Sequence, residues 1–83
     1  MDHELIATRL GRQIREKRLH RGHTQADLAS LARLTRQKII AIEQGSLSVS
    51  LSAYSRALAA LDCELNVVPA MYPTLEEVQG LFD

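Results

Sequence analysis

Between residues 24 and 45 the chain spells out two short helices, each opened by a threonine, with a tight turn between them. Thr24-Gln25-Ala26-Asp27 places a hydroxyl at a helix start and an acid three residues on, which is close to a capping box. Leu28, Leu31 and Ala32 follow at helical spacing and predict a helix of about eight residues. After Ala32-Arg33-Leu34 a second cap, Thr35, opens a second short helix that runs to Gln44 and stops at Gly45. Two capped helices joined by a three-residue turn form one supersecondary unit, which the rest of the chain must complete.

The flanking sequence supplies more helix. From Asp2 to His20 only Gly11 interrupts a stretch rich in Arg, Glu, Leu and Gln; Leu10 and Ile14 mark one face, and Gly22 is a natural stop. Arginines at 9, 12, 15, 18 and 21 recur every third residue, so they wrap round the helix, and a solvated surface is the expectation for three of the five. Residues 46–50 read as a polar loop. Ser50 then caps a helix whose Leu51, Tyr54, Leu58 and Leu61 lie on one stripe.

At Glu64 the texture changes. Leu65-Asn66-Val67-Val68, stopped by Pro69, predicts a single short strand, which has to find a partner for its backbone. Thr74 and Glu77 form a capping box over a last short helix reaching about Phe82. The expected division is 1–63 for the helical unit and 64–83 for a strand and tail that serve dimerisation or a partner. The fold class is therefore all-α: a bundle of four to five helices with one short C-terminal strand.

Composition agrees with this division. The 83 residues are one domain's worth, 46% hydrophobic with only three aromatics, so the core must come from Leu, Ile, Val and Ala, which suits packed helices. A chain this small buries only roughly 60% of its unfolded surface, and such chains are often dimeric. The lone Cys63 excludes an internal disulfide and a multi-Cys zinc site, fits a reducing cytosol, and reads as a small buried hydrophobe. No apolar run is long enough to span a membrane, and the acidic start is unlike a signal peptide. His3, His20 and His23 have no metal-ligand spacing, and neither a catalytic constellation nor a cofactor loop can be assembled, so no enzyme, metal or cofactor is expected. The formal charge is zero but divided: residues 1–45 carry a net +4 and residues 46–83 a net −4. Such a chain can meet an anionic partner on one side and a protein on the other.

The two capped helices are the helix-turn-helix pattern, in which the second helix enters the major groove. Over about residues 9–62 the register resembles the Cro/repressor-like (Xre) family of bacterial DNA-binding proteins. The likeness rests on Leu10-Gly11 to Ile14-Arg15, Thr24-Gln25-Ala26-Asp27-Leu28-Ala29 and Ile39-Ile40-Ala41-Ile42-Glu43-Gln44-Gly45. It implies a lambda-repressor-like bundle, base contacts at Arg36, Gln37 and Ala41, phosphate contacts at Gln25, Thr35 and Ser46, and a buried pair between Arg18 and Glu43. Ala29 falls where the two helices touch, with Leu28 and Leu34 pointing inward. Two positions depart from the family pattern: Arg33 stands where the turn usually has Gly, and Val49 where Pro or Thr is usual.

The second helix can also be read by angle alone. With Ile39 and Ile42 inward, steps of about 100° place Gln37, Ile40, Ala41 and Gln44 opposite the core, with Arg36 and Lys38 on the flanks. Arg can bind guanine and Gln adenine through paired hydrogen bonds, and Ile40 beside Ala41 suits thymine methyls. The expected protein is a cytoplasmic homodimeric repressor on palindromic double-stranded DNA, its seam formed by Leu65, Val67 and Val68 pairing with their copies. The order of helices and then one strand also resembles HipB-type antitoxins, which implies the alternative of a HipA-like kinase toxin as partner.

Overall fold

The computed structural model describes residues 1–77. Four helices follow one another: α1, His3–His20; α2, Gln25–Ala32; α3, Arg36–Glu43; and α4, Leu51–Ala60. A further helical turn opens at residues 75–77, so the expected extension to Phe82 lies outside the described residues.

Each start is capped by a side chain. Asp2 accepts from the Glu4 amide, Thr35 from Lys38 and Ser50 from Ala53, at 3.0–3.1 Å. Thr24 and Asp27 satisfy one another's backbone amides in a complete capping box. These oxygens take up amide protons that have no partner inside the helix, which is why such short helices begin where they do. The ends use left-handed residues: Gly22 and Gly45 have φ of +72° and +75°, and Arg33 adopts φ 56°, ψ 45° without being glycine.

One core unites the helices. Ile14 of α1, Leu28 and Ala29 of α2, Ile39 and Ile42 of α3, and Ala53, Tyr54, Ala57 and Leu58 of α4 pack together, with Leu61 closing the end. Leu28, Ile39, Ile42 and Ala57 are fully buried. Leu10, Leu34, Val49 and Cys63 lie half-buried against this core; Cys63 is thus only partly covered, since α4 ends before it and its thiol reaches back to the Leu61 carbonyl. Leu31 and Leu51, at helical spacing with the core residues, are 55% and 68% exposed. Leu51 opens α4 and Leu31 stands near the end of α2, where the neighbouring helices cover them only in part.

Gly11 sets the approach of α1 to α3. A Cβ there would stand 2.5–2.8 Å from the Ile42 and Glu43 carbonyl oxygens and the Gly45 nitrogen. Gly45 in turn abuts the backbone of Ala7 and Thr8. The chain leaving α3 is therefore clamped against the first half of α1.

The expected strand needs correction. Among the described residues no strand forms: residues 64–74 carry no regular structure, and none of residues 64–73 takes part in a backbone–backbone hydrogen bond. A strand is defined by its ladder, and among the described residues Leu65–Val68 pairs with no other segment. Of the arginines at 9, 12, 15, 18 and 21, three are exposed as expected, Arg12, Arg15 and Arg21, and two are not. Arg18 is buried, Arg9 holds Glu77 through two hydrogen bonds, and Arg21 meets Asp62 at 3.0 Å; Arg12 and Arg15 alone have no ion-pair partner among the described residues.

Candidate nucleic-acid interface

The start of α2 and the end of α3 are held in place by one buried polar cluster. Arg18 is 6% exposed and spends its guanidinium on three acceptors. Its Nε donates to Glu43 Oε2 at 2.6 Å, Nη2 to Glu43 Oε1 at 3.1 Å and Nη1 to the His23 carbonyl at 2.9 Å. The Glu43 side chain is 4% exposed, and the bond to it raises the Arg18 pKa further above its usual value, so the cation is permanent. A two-pronged pair with these distances is the strong form of an ion pair. It fastens the end of α3 to α1 and, through His23, to the entry of α2.

Gln25 joins this cluster. Its Nε2 donates to Glu43 Oε1 at 3.3 Å, so the first residue of α2 is oriented by the last residue of α3. No sequence signal announces this contact, because it links residues 18 apart on different helices. The half-buried Gln25 amide keeps donor and acceptor capacity for a ligand.

Around this frame, Arg36, Gln37 and Lys38 on α3 and Gln44 just after its end are exposed. Ile40 and Ala41 are half-buried, so they are less open than the angular reading supposed; neighbouring side chains shade them and leave part of each surface free. Thr35 is exposed at the start of α3, and its hydroxyl oxygen accepts from the Lys38 amide at 3.1 Å. That bond leaves the hydroxyl proton free to donate outward. In the loop, Ser46 and Ser48 share a hydroxyl–hydroxyl bond of 2.9 Å, and the Ser46 carbonyl accepts from the Tyr54 hydroxyl at 2.7 Å. Tyr54 is buried, and burial raises its phenol pKa, so it remains a neutral donor that ties the loop to α4.

The arrangement thus gathers Gln25, Thr35, Arg36, Gln37, Lys38 and Ser46 from three successive elements around one helix. What it presents is cationic and amide-rich, without a metal cluster among the described residues. Leu65, Val67 and Val68 lie elsewhere, 49%, 99% and 66% exposed on the segment after α4. Sequence reasoning also missed the docking of the acidic tail. Glu77 binds Arg9 through both carboxylate oxygens, with contacts of 2.5 and 3.1 Å, and Arg9 also donates to the Met71 carbonyl at 3.2 Å. The bonds from Arg9 and the Thr74 amide hold the Glu77 carboxyl down at about 2. The capping box at Thr74 was legible; its target on α1, some seventy residues away, was not.

A family model described as a helix-turn-helix domain matches residues 9–71. No characterised protein matches the chain.

Proposed function

The chain belongs to the helix-turn-helix domain family of DNA-binding proteins, and on that premise we propose that it is a transcriptional repressor that reads a palindromic operator as a homodimer. The observation that carries this reading is the exposed, cation-flanked amide face of α3, held rigid by the Arg18–Glu43–Gln25 cluster beneath it. In the proposed complex α3 lies in the major groove. Arg36 and Gln37 read base edges, Ala41 and the open part of Ile40 meet thymine methyls, and Gln44 lies at the far end of the same face. Gln25, Thr35 and Ser46 donate to phosphates, and Lys38 adds charge toward the backbone. The register is that of the Cro/repressor-like family. A two-fold axis at the segment holding Leu65, Val67 and Val68 sets two such helices about 34 Å apart, on successive grooves of one face of the duplex.

The test is a fluorescence-anisotropy titration against operator selected from random DNA. With six to eight phosphate contacts per dimer, log K falls with a slope of about −5 to −7 against log salt. Gln37→Ala costs about 1–3 kcal/mol and relaxes preference at one position per half-site, whereas Ser46→Ala weakens all sequences evenly. A slope near zero, or an operator preference untouched by Gln37→Ala, overturns the docking.

A second reading is favoured by the apolar surface left open after α4, where Val67 and Tyr72 are 99% and 97% exposed. In it the same DNA face serves autorepression, and the open segment binds a HipA-like kinase toxin. Co-purification of such a kinase from the native host separates it from the first.

A further inference from the structure

Between the end of α2 and the second half of α4 runs a shallow groove of about 370 Å³, lined by Leu31, Ala32, Arg33, Arg56, Ala59 and Ala60. Its floor is apolar and its rim carries two guanidinium groups. Arg33 and Arg56 are exposed, and neither guanidinium has a hydrogen-bond or ion-pair partner among the described residues. The groove lies at the end of α2 opposite Gln25. Gln25 lies at one end of α2 and Leu31–Arg33 at the other, about 10 Å along the helix axis.

The complementary chemistry is in the same chain, on the segment that follows α4. Glu64 is exposed with no partner among the described residues, and beside it Leu65, Val67, Val68, Met71 and Tyr72 are 49–99% exposed. Within one copy this segment is tied down elsewhere. At its start Asp62, with φ +55°, turns the chain, and its carboxylate is held by Arg21 at the end of α1. Further on Met71 and Glu77 are both held by Arg9. The segment is thereby laid along α1, whose stretch from Arg21 back to Arg9 measures about 18 Å. It cannot also lie in the groove between α2 and α4.

We propose that the groove between α2 and α4 receives the Glu64–Tyr72 segment of a second copy, with Glu64 of the partner subunit between Arg33 and Arg56 and its apolar neighbours on Leu31, Ala59 and Ala60. The contact is reciprocal across a two-fold axis, since each copy offers one groove and one segment beside the end of its own α4. This rests on the homodimer reading above and adds to it the surface on which the seam sits. It also makes the acidic half of the chain the ligand of cations that DNA does not use.

Sedimentation equilibrium on the full-length chain tests it, with circular dichroism confirming that each variant is folded. Arg56→Glu and Glu64→Arg are both at exposed positions, and each weakens the dimer by about tenfold or more. The two changes in one chain restore association to near the wild-type constant, which loss of folding does not produce. If the wild type is dimeric and neither single variant alters its constant, the groove is not the seam, although the homodimer stands. If the wild type is monomeric at high micromolar concentration, the dimer and the groove fall together. Binding of a half-site duplex in the same buffer reports separately on DNA recognition, and Arg56→Glu leaves it within about twofold.

Discussion

Arg18→Ala removes the guanidinium that serves Glu43 Oε1, Glu43 Oε2 and the His23 carbonyl. The Glu43 side chain, 4% exposed, is then left as a buried carboxylate whose remaining side-chain donor is the Gln25 amide at 3.3 Å. Truncating one partner of a buried pair costs about 3–5 kcal/mol, because the surviving charge is neither solvated nor paired. The entire stability expected for 83 residues is about 4–12 kcal/mol. The variant should therefore melt at least about 12 °C below wild type, if it folds at all. Arg12→Ala is the control. Arg12 lies on the same helix, is exposed and has no ion pair among the described residues, so its change should stay within about 0.5 kcal/mol. Urea denaturation followed at 222 nm gives both numbers. Replacing both partners at once, Arg18→Met with Glu43→Leu, should recover most of the loss, since an apolar pair strands no charge. Equal midpoints for Arg18→Ala and Arg12→Ala would refute the reasoning, and so would a double variant no better than the single.

Three further outcomes follow from the backbone and the tail. Gly11→Ala should destabilise by about 1–3 kcal/mol in the same assay despite alanine's better helix propensity, because its Cβ would meet backbone atoms at 2.5–2.8 Å. Arg33→Gly should be more stable than Arg33→Val by about 1–2 kcal/mol; both lose the charge, so the difference reads the left-handed backbone at φ 56°. Glu77, held at about 2 against an ordinary 4.5, adds stability that is fully present above pH 4.5 and lost as pH falls through 2. Glu77→Gln should accordingly speed amide exchange in residues 71–77 at neutral pH, and an exchange rate unchanged there would mean that the pair with Arg9 does not hold the tail.

The helix boundaries were legible because their causes are local. Thr24 with Asp27, Thr35, Ser50, Gly22 and Gly45 each act on amides or dihedral angles within a few residues, so reading them in order places α2, α3 and α4 to within a residue or two. The inward positions of Leu28, Ile39 and Ile42 follow from helical periodicity for the same reason. Periodicity misjudged Leu31, Leu51 and Ile40, because it knows the angle of a side chain but not how far a neighbouring helix extends to cover it.

By itself, then, the sequence determined the order, ends and inward faces of the helices, and with them the side of α3 that looks outward. Only the tertiary structure decided what depends on residues far apart in the chain. Gly11 is required where α1 meets the end of α3, Gln25 is steered by Glu43, and Glu77 lands on Arg9. The fate of Leu65–Val68 belongs to the same class. Alternation and β-branching prepare a strand, but the hydrogen bonds that make one come from another backbone, and among the described residues none pairs with it.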